Sequence, residues 1–295
     1  MKILLLGANG QLGWELQRTC PNDVTIEVCD YPKVDFSSAA SIQNCIQSAS
    51  PDCIINAAAY TAVDKAEQEE ALAYKINHEA VGVLSEFALK NEIKLVHVST
   101  DFVFSGNQYK PYQPEDIPDP ESVYGRSKLA GEKSVQRILG DKALIIRTAW
   151  LYSAHGSNFV KNMLGLMSQK ESLNVIDEQV GTPTWAFGLA LAIWVCVKNN
   201  IVGTHHWTDA GVASWYDFAV AIQEEAIAAG LLSKGIPIMP IPESLYPTPA
   251  KRPSYGVLDK RGLWEKTGLT PIHWRVQLRA MIMERITLRL SSYGA

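Results

Sequence analysis

The sequence contains few cysteines, and no two of them form the close pair that zinc sites and redox motifs need. There are five among 295 residues, at Cys20, Cys29, Cys45, Cys53 and Cys196. Because the number is odd and the positions lie far apart, we predict that the cysteines are reduced and mostly structural.

A long apolar run and a surplus of basic residues are also missing. The apolar residues after Met1 stop at Gly7, too soon for a signal peptide, and the run from Gly188 to Val197 is far shorter than the roughly 20 residues of a membrane span. The formal charge is −4, so no broad basic surface is available to neutralise a phosphate backbone. We therefore expect a cytoplasmic protein with no membrane and no nucleic-acid partner.

The first half of the chain alternates short apolar runs with longer helical patterns. With 47% hydrophobic and 20% charged residues the chain can bury a large core, and the alternation is typical of β-α-β units that build a parallel sheet. The candidate strands are Lys2–Leu6, Thr25–Cys29, Cys53–Asn56, Lys94–Ser99 and Ala143–Arg147. We predict an α/β fold with a Rossmann-type, doubly wound parallel sheet.

The rhythm changes after the fifth strand, where loops lengthen and prolines gather in residues 237–253. Helical patterns without regularly spaced strands between them follow at Trp185–Lys198 and Ser214–Ala229. We predict a dinucleotide-binding domain over residues 1–148 and a smaller α/β region over residues 149–295. The second region is expected to bind mainly the substrate, with some segments packing back on the first domain and a ligand cleft between the two.

Three evenly spaced glycines follow the first candidate strand. Gly7, Gly10 and Gly13 lie where the helical pattern from Leu12 to Thr19 begins, so a dinucleotide pyrophosphate could meet a helix N-terminus there. A plain strand-to-helix turn is the alternative interpretation.

Asp30 ends the second candidate strand, where a carboxylate can accept hydrogen bonds from the ribose hydroxyls of an adenosine. Its charge would repel a 2′-phosphate, although Lys33 is near enough to compensate. We therefore expect NADH as the cofactor, with NADPH tolerated. A solvated turn aspartate is the alternative.

Tyr124 and Lys128 are four residues apart and so lie on one face of a helix. A nearby lysine cation favours the phenolate, so we predict that Lys128 lowers the pKa of Tyr124. Thr100 lies at the carboxyl end of the fourth candidate strand, where its hydroxyl could orient a substrate carbonyl toward the phenol. The pattern indicates hydride reduction of a ketone. The alternative is an exposed helical face.

These residues lie within longer segments that resemble the extended short-chain dehydrogenase/reductases. Within that superfamily they are similar to the reductases of dTDP-linked 4-keto sugars that complete the synthesis of dTDP-L-rhamnose. The likeness runs from Met1 to about Glu284. It is carried by residues 7–16, 56–67, 99–104, 123–132, 147–150, 215–217 and 246–253.

The resemblance implies roles for individual residues. Thr100, Tyr124 and Lys128 would be catalytic, and Thr100, Asp101 and Trp150 would line the sugar site, unless Trp150 is only a core aromatic residue. Arg252 could donate two hydrogen bonds to the nucleotide diphosphate, or belong to a surface loop. Cofactor contacts are implied at Gly10, Gln11, Leu12, Asp30, Asp35, Phe36, Ala59, Tyr60, Thr61, Val98, Tyr124 and Lys128.

Some members of the family join two subunits through Mg²⁺ held by glutamates. Glu15 and Glu284 match two of those positions, but the third is Phe187. Because a phenyl ring cannot ligate a cation that requires oxygen, we predict that this metal site is absent or weakened. A homodimer, if one forms, would use other contacts.

Three other functions compete with a reductase. A nucleotide-sugar dehydratase has a glutamate where this chain has Phe102. An epimerase recycles its cofactor where a reductase consumes it. A non-catalytic regulatory subunit, like that of methionine adenosyltransferase, also resembles these reductases, but the intact trio of Thr100, Tyr124 and Lys128 argues against that function.

Overall fold

The computed structural model describes residues 1–293 and the side chains of residues 1–288. The strands are β1 (Lys2–Leu6), β2 (Thr25–Cys29), β3 (Cys53–Asn56), β4 (Lys94–Thr100), β5 (Leu144–Thr148), β6 (Leu151–Tyr152), β7 (Leu173–Ile176), β8 (Val180–Gly181), β9 (Thr184–Trp185), β10 (Gly203–His206), β11 (Ala213–Ser214) and β12 (Ile238–Ile241).

The helices lie between and after these strands. They are α1 (Gln11–Arg18), α2 (Ala39–Ala49), α3 (Val63–Ala66), α4 (Glu70–Tyr74), α5 (Ala80–Lys90), α6 (Val123–Leu139), α7 (Phe159–Met167), α8 (Ala186–Lys198), α9 (Trp215–Ala228), α10 (Arg261–Thr267) and α11 (Trp274–Tyr293). A π-helical turn at Lys75–Glu79 joins α4 to α5, and short 3-10 turns lie at Asp101–Val103, Gly140–Lys142 and Glu243–Leu245.

Six strands form one parallel sheet in the order β10-β5-β4-β3-β1-β2. The chain winds outward in both directions from β1 and β3, so the crevice where a doubly wound sheet binds ligands opens between their carboxyl ends. The predicted α/β class and parallel sheet are confirmed. The first three strands have the predicted bounds, and β4 and β5 each end one residue later than predicted.

Helices cover both faces of this sheet, which is why its strands are apolar without alternation. Ile3 and Leu5 of β1 pack with α1 and α8 on one face. Leu4 and Leu6 pack with α2 and α5 on the other. The arrangement leaves the carboxyl edge of the sheet as the place where polar side chains can gather.

The later part of the chain builds a second apolar cluster around α7, α9 and α11. Three two-stranded sheets accompany it, pairing β6 with β9, β7 with β12 and β8 with β11. α8 and β10 instead pack on the first part of the chain, β10 beside β5. The division near residue 148 stays a prediction, and the last two residues of the predicted 149–295 region lie outside the described residues.

The prediction that the cysteines are reduced is wrong for one pair. Cys29 at the end of β2 and Cys45 in α2 are joined by a disulfide across 16 residues of sequence. The two are brought together because α2 packs beside the strand that precedes it, a proximity that linear spacing hides. Cys20, Cys53 and Cys196 are free, and burial raises the pKa of Cys53 and Cys196 to about 12 each. Within residues 1–293, no helix is both long and apolar enough to cross a membrane.

One glycine lets α6 lie against the end of β4. A Cβ at Gly125 would stand 2.2 Å from the carbonyl oxygen of Phe102, which belongs to the turn that follows β4. No side chain fits in that space, so residue 125 must be glycine if the helix is to approach this closely.

We expect Gly125→Ala to lower the free energy of unfolding by about 1–3 kcal/mol, the usual cost of overpacking. The matched control is Gly165→Ala in α7, where nothing lies within 4 Å of the added methyl group and helix propensity should add about 0.5–1 kcal/mol. Urea titration of both variants measures the two effects. Equal stability in the two variants would contradict the close approach of α6.

Candidate active site

The carboxyl end of β4 places two predicted substrate residues together. Thr100 is the last residue of the strand, and its hydroxyl accepts a hydrogen bond from the Phe102 N–H at 3.2 Å. The same hydroxyl donates to Asp101 Oδ1 at 3.0 Å, and both side chains are buried. Burial raises the pKa of Asp101 to about 7, partly offset by its hydrogen bonds to Thr100 and nearby backbone.

Tyr124 is the second residue of α6, and several contacts fix the start of this helix. The Ser122 hydroxyl accepts from the Gly125 N–H at 3.1 Å, and a carboxylate oxygen of Glu67 accepts from the Val123 N–H at 2.8 Å. The Tyr124 ring stands edge-on to Phe102, with centroids 5.4 Å apart. The Thr100 side chain acts to lower the pKa of the phenol, so it lies near the Tyr124 side chain at this edge of the sheet.

The prediction that Lys128 lowers the pKa of Tyr124 is wrong in this structure. Burial raises the pKa of Tyr124 to about 12, the charge of Asp101 adds to the effect, and the nearby Thr100 side chain opposes it. The four-residue spacing predicts that Lys128 and Tyr124 share one face of the helix, but spacing alone does not show how strongly burial desolvates the phenol. At neutral pH the phenol is therefore protonated.

Lys128 lies one turn further along α6 and is buried. Its Nζ donates to the carbonyl oxygen of Val98 at 2.7 Å and lies 3.5 Å from His97 Nε2. Burial lowers the pKa of Lys128 to about 8, against the raising effect of Glu132. Val98, predicted as a cofactor contact, thus already uses its backbone carbonyl to hold Lys128.

The glycine turn after β1 borders the crevice between β1 and β3. Gly7 has a φ of +81°, and a Cβ there would lie 2.5 Å from the backbone nitrogen of Ala58. Gly10 precedes α1 without a side-chain cap, so the first N–H groups of the helix, up to Gly13, are available to an anion. These features fit a dinucleotide pyrophosphate.

The next two predicted cofactor residues, Gln11 and Leu12, point different ways. Leu12 is buried in the core beneath the sheet. The Gln11 side chain accepts from Asn158 Nδ2 at 2.9 Å and reaches the Leu151 carbonyl at 3.4 Å. Gln11 therefore links the glycine turn to the later part of the chain.

Asp30, the residue after β2, contacts the glycine turn. Its Oδ2 accepts from the Asn9 N–H at 2.8 Å, which places the carboxylate at the edge of the crevice where an adenosine ribose would lie. Asp35 accepts from the Ser37 N–H at 2.8 Å, and hydrogen bonds to Ser37 lower its pKa. Phe36 packs against the core beside α2.

The segment Ala59–Thr61, also predicted for the cofactor, follows β3 and is held by a residue that the sequence did not single out. Asn77 accepts from the Tyr60 N–H at 2.8 Å and donates to the Tyr60 carbonyl at 3.1 Å. It also donates to the Ser127 hydroxyl of α6 at 3.0 Å. Its one signal in the sequence is an asparagine amid an apolar helical pattern.

Trp150 adopts a backbone conformation that bulky residues rarely take, with a φ of +47°. Its ring stacks on Trp215 at the start of α9, with centroids 3.6 Å apart. Strain of this kind is concentrated at functional sites, which supports a substrate role over that of a plain core residue. Trp215, part of the resemblance but not predicted for the site, is the residue that holds it.

Arg252 does not face open solvent. Its guanidinium makes two contacts with the Asp64 carboxylate, at 2.8 and 3.1 Å. The segment around it is therefore anchored to α3. Binding of a diphosphate by Arg252 stays a prediction, because the Asp64 carboxylate already accepts from both of its terminal guanidinium nitrogens.

The position that the resemblance assigns to Mg²⁺ is filled by a cation of the chain itself. Arg18 contacts the carboxylates of Glu15 and Glu284, the latter at 2.8 Å. Its guanidinium carbon lies 4.8 Å from the Phe187 ring centroid and 4.9 Å from that of Trp14. A guanidinium paired with both carboxylates would repel a divalent cation, so these residues do not fit Mg²⁺. Within the described part of the chain, no group of three or more His, Cys, Asp or Glu residues could hold a metal ion.

Comparison with known proteins gives a consistent answer. The family model described as the RmlD substrate binding domain matches residues 1–286. The chain is 40% identical to the dTDP-4-dehydrorhamnose reductase of Escherichia coli K12, over 97% of this chain and 99% of that protein.

Solved structures agree with this likeness. A dTDP-4-dehydrorhamnose reductase of Clostridium acetobutylicum matches with a TM-score of 0.89 at 38% identity, over 96% of this chain and 98% of that one. The enzyme of Bacillus anthracis, solved in complex with NADP, matches with a TM-score of 0.90 at 32% identity, over 96% and 99%.

We expect that Mg²⁺ does not bind between Glu15 and Glu284, because the Arg18 guanidinium is already paired with both carboxylates. Titration with Mn²⁺, followed by electron paramagnetic resonance, should detect no bound ion in the native chain. Arg18→Ala, which uncovers the two carboxylates, should bind Mn²⁺ measurably. Stoichiometric binding to the native chain that Glu15→Gln abolishes would refute the expectation.

Proposed function

The chain belongs to the dTDP-4-dehydrorhamnose reductase family, and on this basis we propose that it reduces the C4 keto group of dTDP-4-dehydro-L-rhamnose with NADPH or NADH. The product is dTDP-L-rhamnose. The observation that carries the proposal is the burial of Thr100 and Tyr124 near each other at the carboxyl end of β4, where the Thr100 side chain acts to lower the pKa of the phenol. The names of the relatives supply the substrate, and a relative in complex with NADP supports the cofactor.

The nicotinamide dinucleotide supplies the hydride when bound. The turn from Gly7 to Gly13 would hold its pyrophosphate and Asp30 its adenosine ribose, because these groups border the crevice between β1 and β3. Lys128 would bind the nicotinamide ribose.

Thr100 and Tyr124 supply the two hydroxyl groups that can meet the keto oxygen of the sugar. As the carbonyl carbon is reduced, its oxygen becomes negative and takes the proton of the Tyr124 phenol. With a pKa of about 12, the phenol is protonated at neutral pH and therefore has a proton to give to the developing alkoxide.

Burial around these groups also favours the reduction, because it strengthens the hydrogen bonds to the substrate oxygen. Phe102 covers one side of the Tyr124 ring, and Asp101 and Thr100 are themselves buried. Exclusion of water makes each hydrogen bond to a developing negative charge worth more than it is in solution. We propose that Trp150, held on Trp215, forms a wall of the sugar site.

The competing functions receive less support. The position where a dehydratase has a glutamate is Phe102, whose ring packs on Tyr124 and offers no acid. An epimerase would recycle its cofactor, whereas a reductase consumes one equivalent for each sugar. A non-catalytic regulatory subunit would have no evident use for the buried hydroxyl groups of Thr100 and Tyr124. A homodimer and a cytoplasmic location stay predictions.

Tyr124→Phe should reduce kcat by roughly 10²- to 10⁴-fold, the usual contribution of general acid catalysis, because the phenyl ring keeps the packing but has no proton to give. The assay follows oxidation of NADPH with enzymatically generated dTDP-4-dehydro-L-rhamnose. Tyr109→Phe, at an exposed tyrosine, is the control and should leave kcat unchanged. Turnover by Tyr124→Phe at the native rate would remove the phenol from the mechanism.

A further inference from the structure

A buried histidine beside the catalytic lysine has no part in the mechanism above. His97 lies in the middle of β4 and is fully buried. Its Nδ1 is 3.1 Å from Asn56 Nδ2 on β3, and its Nε2 is 3.5 Å from Lys128 Nζ on α6. Burial and the charge of Lys128 hold the pKa of His97 well below its ordinary value, so the ring is neutral.

The hydrogen-bond partners of Asn56 determine which nitrogen of His97 carries the proton. The Ala58 N–H donates to Asn56 Oδ1 at 3.2 Å, so the amide nitrogen of Asn56 faces the imidazole. That nitrogen only donates, and Nδ1 of the ring must therefore accept. The neutral ring then has its proton on Nε2, the nitrogen that faces Lys128.

Lys128 is thereby held between a donor and an acceptor. Its amino group lies 2.7 Å from the Val98 carbonyl and faces the His97 N–H on another side. The Glu132 carboxylate, one turn further along α6, is already paired with Arg147 through contacts of 2.7 and 3.0 Å. A fixed N–H pointed at an ammonium group disfavours the charged form and favours the amine, which can accept that hydrogen bond.

We propose that His97 is a positioning residue for Lys128: with its tautomer set by Asn56, it presents a fixed N–H that confines the lysine amino group against the Val98 carbonyl. The inference rests on the proposed function for its catalytic consequence. If His97 only filled space in the sheet, the orientation of its two nitrogens would not matter.

Two amide substitutions separate these roles. The side-chain nitrogen of His97→Gln can take the place of Nε2 and still donate to Lys128, while the contact with Asn56 is lost. The oxygen of His97→Asn can take the place of Nδ1 and still accept from Asn56, while Lys128 is no longer reached. Each variant loses one of the two buried polar contacts of the imidazole, so both should be destabilised to a similar extent.

The first measurement is independent of enzyme activity. In protein labelled with ¹³C and ¹⁵N in lysine, with the Lys128 signal assigned by Lys128→Arg, NMR titration follows the amino group. His97→Asn should move its titration to higher pH by about half a pH unit, because the opposing N–H is gone. His97→Gln should titrate like the native chain. The same titration in both variants would overturn the proposal.

The second readout is kcat in the NADPH assay. His97→Asn should lower kcat about tenfold with the KM for the sugar unchanged, while His97→Gln stays within about twofold of the native chain, because only the first variant frees the lysine. Equal losses in the two variants would also overturn the proposal. A native chain without any turnover would defeat the proposed function instead, and the NMR titration would still decide the role of His97.

Discussion

The proposed chemistry depends on how closely the first turn of α6 lies against the carboxyl end of β4. Gly125 removes the side chain that would collide with the Phe102 carbonyl, and Ser122 and Glu67 bind the free N–H groups at the start of the helix. Because Tyr124 lies between these anchors, its ring has little freedom. The phenol therefore stays near Thr100, whose side chain affects its pKa.

Burial gives this small region its electrostatic character. It raises the pKa of Asp101 and of Tyr124 and lowers that of Lys128, so every shift disfavours the charged form. In such a site the neutral form of each group is favoured: the carboxyl group and the phenol retain their protons, and the lysine gives up its proton more readily than in water. A reaction that transiently places negative charge on a substrate oxygen gains from donors of this kind.

The sequence predicted the central sheet well because its apolar runs are long, continuous and separated by helical patterns. It also predicted that Thr100 and Tyr124 lie near each other, since residues at the ends of adjacent elements of a doubly wound sheet share one edge. The features it missed depend on contacts between distant segments. The pairing of Cys29 with Cys45 and the two contacts of Arg252 with Asp64 follow from packing that spacing does not encode.

Buried polar residues were the hardest to interpret from the sequence. Asn77 and His97 sit within apolar patterns, and nothing in their neighbours indicates which backbone or side chain they bind. Arg18 likewise reads as an ordinary helical surface residue, yet it lies between two carboxylates and two aromatic rings. The desolvation of Tyr124, which sets its pKa, depends on the whole surrounding fold.

The most direct test of the account is a double-mutant cycle on kcat with Thr100→Val, Tyr124→Phe and the two combined. If the hydroxyl and the phenol act on one substrate oxygen, the double variant should lose little more than the worse single variant. If the two losses multiply, the groups act independently, and the convergence of Thr100 and Tyr124 on a single keto oxygen would be contradicted.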